Sequence, residues 1–142
     1  MGISYEHFIS NYLNYKVGEK NVGDLIEDSF RFFQEFNFIK NHNEFYPVNL
    51  FTDEEIYLYF FTNGKIFEIK ISEDNVQFEV FEHKNILNVK LTYFSFDRLL
   101  LDISFNNDKK LTFDNSKDAN EYNACGHLQK IINIHKLLVG EL

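Results

Sequence analysis

Residues 56–71 read IYLYFFTNGKIFEIKI, and the fold turns on them. Asn63-Gly64 at the centre predicts a two-residue type I′ turn, which needs positive φ at both positions and therefore favours this dipeptide. Such a turn sets Phe60 opposite Phe67, Leu58 opposite Ile69 and Ile56 opposite Ile71, so one hairpin face is wholly apolar, as a core face must be. The other face carries Tyr57, Tyr59 and Phe61 opposite Lys70, Glu68 and Ile66.

Working outward, the loop Ser72-Glu73-Asp74-Asn75 returns Val76, Phe78 and Val80 to the apolar face. On the other side, a strand over roughly 45 to 51 contains Pro47 and is expected at a sheet edge, because proline cannot donate to the ladder. His83, Lys84 and Asn85 interrupt the pattern, and a second set follows. Val89, Leu91 and Tyr93 pair across a Ser95-Phe96-Asp97 loop with Ile103, Leu101 and Leu99. Ile103 and Leu101 pair in turn, across Asn106-Asn107-Asp108, with Leu111 and Phe113.

Both flanks change period from two to 3.6. Tyr5, Phe8, Ile9, Tyr12 and Leu13 predict a short helix capped by Ser4 and stopped by Gly18. A second helix begins after Asn21, and its Val22, Leu25, Ile26, Phe30, Phe32, Phe33 and Phe36 cover an arc of about 160° at ~100° per residue. So wide an arc needs two neighbours, the first helix and a sheet. The C-terminal helix is expected to enter at Asn115 or Ser116, with Asp118 in its first turn and Lys136 in its last. Its stripe is Ala124, Leu128, Ile131, Ile132, His135, Leu138 and Val139.

At 142 residues the chain reads as a single domain, 1–142, with a helical N-terminal extension over 1–40. Its net charge of −8, with lysines scattered throughout, repels phosphate backbones and anionic lipid. Nucleic acid and membrane are therefore not expected as partners. No apolar run approaches the ~18 residues of a membrane span, and the N-terminus lacks the basic and apolar regions of a signal peptide. With a lone Cys125 these features point to a cytoplasmic protein.

Four antiparallel strands, a break, three more strands and an amphipathic helix resemble the pleckstrin-homology-like barrel over residues 45–139. The resemblance implies an α+β fold: a seven-stranded antiparallel barrel of four plus three strands, a C-terminal capping helix and two added N-terminal helices. With seventeen Asn against two Ala, the composition is that of an AT-rich genome, and the chain looks like small proteins of bacilli and their phages that carry such a barrel. The loop after the first barrel strand reads Thr52-Asp53-Glu54-Glu55, and its acidity argues against the phosphoinositide binding of some members.

No residue set demands a particular chemistry. Cys125 and His127 lie about 200° apart on a helix and cannot act as nucleophile and base together. They read as a partly buried thiol beside a surface imidazole. His127 and His135 are separated by about 12 Å along the helix, too far to share a metal ion, and His135 is expected to bond a carbonyl at the core margin. The carboxylates Asp53-Glu54-Glu55 and Glu73-Asp74 fall on turns without the ligand spacing of a calcium loop, and the glycines form no phosphate loop. No metal or cofactor is expected.

The aromatic row Tyr57, Tyr59 and Phe61, with Ile66 and Phe81, stands out. Exposed, it is a partner-binding patch; covered, it is the seat of the N-terminal helices. The sequence thus favours a non-enzymatic protein-interaction domain that binds through a sheet edge or helix face. A toxin-neutralising immunity protein and a small enzyme of unspecified reaction stand as alternatives. The partner and the oligomeric state are left open.

Overall fold

The computed structural model describes residues 2–120 and 123–141. In chain order its elements are α1 (Tyr5–Ser10), β1 (Lys16–Val17), β2 (Lys20–Asn21), α2 (Gly23–Phe33), α3 (Asn37–Lys40), β3 (Glu44–Val48), β4 (Ile56–Phe61), β5 (Lys65–Ile71) and β6 (Val76–Glu82). There follow β7 (Ile86–Ser95), β8 (Arg98–Phe105), β9 (Lys110–Asp114), α4 (Asn115–Asp118) and α5 (Ala124–Val139). The sheets are all antiparallel: β1-β2, β3-β4-β5-β6 and β7-β8-β9. This is a mixed α+β fold with a C-terminal helix.

The central hairpin has the expected register, with Leu58 opposite Ile69 and Phe60 opposite Phe67, and Gly64 takes a positive φ of 116° in the turn. The pairings predicted for β6 to β9 also hold, including Ile69 with Phe78, Leu91 with Leu101 and Leu101 with Phe113. Pro47 lies on the edge strand β3, which is shorter than the sequence suggests.

Burial of the four-stranded sheet differs from the sequence reading in one consequential way. The face of Ile56, Leu58, Phe60, Ile69 and Ile71 packs against the N-terminal elements, among them Tyr5, Phe8, Ile26, Phe30 and Phe38. The opposite face, with Tyr59, Phe61, Ile66 and Phe81, packs on Leu99, Leu101, Ile103, Phe105 and Phe113 of the second sheet and on Ile131 and Ile134 of α5. The helices thus pack on the face read as the core face, and the aromatic row meets the second sheet. Both faces are apolar enough to be buried, so side-chain alternation does not distinguish their partners.

The N-terminal elements are shorter than their periodicities suggest. Ser4 caps α1 by accepting from the N–H of His7, but α1 ends at Ser10 and passes through a 3₁₀ turn over Tyr12–Asn14, leaving Leu13 in solvent. Gly18, read as a helix stop, is instead the positive-φ turn of the β1-β2 hairpin. On α2 the buried stripe is narrower than the predicted arc, because Phe32 is exposed. The helix still meets two neighbours, touching α1 through Phe30 against Tyr5 and Phe8 and the sheet through Phe33 against Phe78.

The C-terminal helix is broken in two. The entry is at Asn115 as expected, with Asp118 in the first turn of α4; Asp114 caps α4 by accepting from the N–H of Ser116, and the buried Asn115 also serves as a junction. Its side chain accepts from Leu99 N–H and donates to the carbonyls of Asp97 and Ala124, joining α4 to α5 and to the β7-β8 turn. On α5 the stripe is rotated from the predicted one, with His127, Lys130, Ile131 and Ile134 buried.

Phe60 and Phe61 are adjacent, both fully buried, and in different clusters. We expect Phe60→Ala and Phe61→Ala each to lower the unfolding free energy by about 3–5 kcal/mol in urea titrations. A loss under about 1 kcal/mol for either would mean that the sheet is buried on only one face.

Candidate interaction surface

The predicted patch is not a surface. Phe61 and Ile66 are fully buried, Tyr59 and Phe81 nearly so, and Tyr57 half-buried. Tyr59 meets Phe113 edge-on at 4.8 Å between ring centroids, and Phe81 packs on Phe105 at 5.1 Å. The Tyr59 hydroxyl donates to Glu68 at 2.8 Å, which satisfies the polar tip of the row inside the molecule. Burial raises the pKa of Tyr59 and of Glu68. The second sheet, not the N-terminal helices, covers these side chains, and only Tyr57 at the margin of the row stays partly open to solvent.

The histidine expectations are exchanged. His127 is buried, with Nε2 donating to the Pro47 carbonyl at 2.7 Å and Nδ1 turned towards the Asn123 carbonyl at 3.3 Å. His135 is only half-buried, and Cys125 is exposed. Three residues along α5, Lys130 Nζ donates to the Phe45 carbonyl at 2.6 Å and pairs with Glu44 at 3.0 Å, while Asn133 donates to the other Glu44 oxygen. Two carbonyls of edge strand β3, at Phe45 and Pro47, are thereby occupied by one helix. The arrangement closes a sheet edge that would otherwise carry unpaired acceptors.

A second polar group lies alongside. The Tyr46 hydroxyl donates to Asp118 at 2.8 Å, the Asp114 N–H donates to the same carboxylate at 2.7 Å, and Arg98 pairs with Asp114 at 2.8 Å. Burial pushes the Asp118 carboxyl up to about 6 despite these donors. Burial likewise lowers the His127 pKa, although the Pro47 and Asn123 carbonyls act in the opposite sense. Each group is held by several elements at once, and its hydrogen bonds go to the protein itself. Among the described residues no three His, Cys, Asp or Glu side chains are placed to hold a metal ion, and no helix is long and apolar enough to cross a membrane.

What the molecule presents to solvent is β7. Of the ten exposed large apolar side chains among the described residues, five lie on this strand and its turn: Leu87 (71%), Leu91 (38%), Tyr93 (70%), Phe94 (52%) and Phe96 (83%). Their cross-strand neighbours are the opposite case, since Leu101 is fully buried and Leu99 nearly so. The strand is an edge, paired only with β8. Arg98 stacks over the Phe94 ring at 4.3 Å, and beyond Phe96 a groove continues along Arg98, Cys125 and Leu128.

The pattern of the sequence held a sign of this. Phe94 and Phe96 stand out of phase with Val89, Leu91 and Tyr93, so β7 has apolar side chains on both faces and one layer cannot bury them all. The predicted pairing is present, and it leaves Leu91 and Tyr93 exposed opposite buried Leu101 and Leu99. No protein family, curated protein or solved structure matches the chain.

Asp118 and His127 have opposite linkage. Asp118 binds its proton more tightly when folded, so its ionisation destabilises the protein as pH rises through the window from the usual 3.8 to about 6. His127 binds its proton less tightly when folded, so stability is lost as pH falls below the usual 6.5. We expect urea titrations of Asp118→Asn to show stability, relative to the parent, declining from pH 7 to pH 4. His127→Gln should show the reverse slope below 6.5. Parallel curves for parent and variants would contradict both assignments.

Proposed function

We propose that the chain is a protein-interaction domain that binds by taking an extended segment of another chain alongside β7. The observation that carries this reading is a ten-residue edge strand with exposed Leu91, Tyr93 and Phe94 and a single charge, Lys90. A free edge supplies a row of backbone donors and acceptors, and the apolar side chains flanking it supply the desolvation that makes pairing favourable. Monomeric soluble proteins rarely leave so contiguous an apolar strip open without use.

The same proposal covers the architecture. A four-stranded and a three-stranded sheet enclosing one apolar cluster, with α5 against it, support a pleckstrin-homology-like barrel decorated by N-terminal helices. A second reading, a toxin-neutralising protein, is favoured by the acidic loops at one end of the larger sheet. There Asp53, Glu54, Glu55 and Glu73 line a shared open depression that suits a basic partner. Reversing Asp53 and Glu54 to lysine would weaken such a complex and leave β7 binding unchanged.

A benzophenone amino acid in place of Tyr93 tests the main reading in lysate of the source cells. We expect a discrete adduct from this position, lost on Leu91→Pro, and none from the same probe at Leu13, which is equally open at 61% exposure. Diffuse labelling that is alike at both positions would overturn it.

A further inference from the structure

Resting on that reading of β7, we propose that its partner strand is β7 of a second copy, in a two-fold antiparallel pair centred on Leu91.

The backbone sets which residues of β7 are free to pair. In an antiparallel sheet, successive residues turn their N–H and C=O groups alternately to one neighbour and to the other. Phe105 N–H donates to the Lys109 carbonyl in the β8-β9 turn, so odd-numbered residues of β8 bond towards β9 and even-numbered ones towards β7. Leu100, Asp102 and Ser104 are opposite Thr92, Lys90 and Asn88, which therefore exchange hydrogen bonds with β8. Val89, Leu91 and Tyr93 turn their N–H and C=O groups outward. Register shifts at Ile86/Asn88 and Tyr93/Ser95 bracket this regular run, and Leu91 is its middle free residue.

A two-fold axis at Leu91 gives a chemically consistent pairing. Leu91 meets its own copy, and Val89 meets Tyr93, a β-branched side chain against an aromatic one. Lys90 meets Thr92, and Asn88 meets Phe94. A two-fold at Lys90 would instead set two ammonium groups face to face, which is unfavourable for directly opposed residues. Charge decides between partners as well. Each copy carries −8, but residues 86–96 contain no carboxylate and only one lysine, whereas β3 carries Glu44, β6 carries Glu79 and Glu82, and β9 ends on Asp114, so β7 is the outer strand of the two larger sheets along which two acidic copies approach with least local repulsion.

The remaining edges of the two larger sheets are closed to such pairing. Strand β3 holds Pro47 and is covered by His127 and Lys130 of α5. Strand β6 carries Glu79 and Glu82, paired with Lys109 and Lys84, and β9 is five residues long and runs into α4. These are the usual devices that blunt an edge, and β7 has only its single lysine and terminal bulges. Burying Leu87, Leu91, Tyr93, Phe94 and Phe96 with the strand backbone removes on the order of 600 Å² per copy, within the lower range of stable interfaces.

Sedimentation of the full chain across a concentration series tests this. We expect a species of twice the 17.0 kDa chain mass, and a dimer dissociation constant raised about 100-fold or more by Leu91→Lys but not by Val80→Lys. The melting temperature and circular dichroism of each variant establish that it is folded. In a Cys125→Ser background, Leu91→Cys should form a covalent dimer under mild oxidation. Val89→Cys and Tyr93→Cys should cross-link to each other when mixed and not alone. A chain monomeric at every concentration overturns the second-copy assignment. If the Tyr93 probe then still captures a discrete different protein, β7 remains an interaction edge; if it captures nothing, that reading fails as well. A dimer unaffected by Leu91→Lys and lacking the Leu91 cross-link also overturns the proposal.

Discussion

The four-stranded sheet is buried on both faces, and the rest of the structure follows from that. Along β4 the side chains alternate between two apolar environments, with Leu58 and Phe60 facing the N-terminal helices and Tyr59 and Phe61 facing the second sheet. Fully burying a large apolar side chain is worth about 1.5–3 kcal/mol, so neither face of this strand can be left to solvent in a domain stable by only about 5–15 kcal/mol. The N-terminal elements are therefore one of the two layers the sheet requires. Their phenylalanines interlock with it directly, as Phe38 does by stacking on Phe67 at 4.3 Å and Phe78 at 5.3 Å.

The position of α5 is set by polar chemistry as much as by apolar contact. Lys130 lies deep enough that its ammonium needs full compensation, and it has Glu44 and the Phe45 carbonyl. Removing one partner of such a buried pair leaves an uncompensated charge and costs about 3–5 kcal/mol, so the pair restricts where the helix can sit even if it adds little net stability. His127 adds a second point of attachment one turn earlier. Together they hold the helix along β3 while Ile131 and Ile134 reach the cluster shared with the second sheet.

This commitment accounts for the exposed strand. A helix is about 10 Å across with its side chains, and strands are spaced at about 4.8 Å, so one helix covers roughly two strands. With α5 placed against β3 and β8, β7 lies at the margin. Val89 and Ile86 reach the shared cluster, while Leu91 and Tyr93 extend past it. The apolar edge is thus a consequence of where the helix is anchored, and its side chains remain available to another chain.

Strand register was legible in the sequence because it depends on local quantities. Loop lengths, the Asn63-Gly64 turn and the period-two alternation act between near neighbours, and every cross-strand pairing read from them is present. The existence of the N-terminal and C-terminal helices was legible for the same reason, although capping geometry and short turns trimmed their ends. What the sequence by itself did not determine was which layer meets which face. Tyr57, Tyr59 and Phe61 are as burial-prone as Leu58 and Phe60, and transfer of apolar surface from water is non-directional. Only the path of the connections in three dimensions sends one set to the helices and the other to the second sheet. The burial of His127 and the exposure of Cys125 follow from the rotation of α5, set by contacts with β3 some eighty residues away in the chain. The exposure of β7 was likewise decided by tertiary structure, because a strand's apolar face becomes a core or a surface according to what is placed over it.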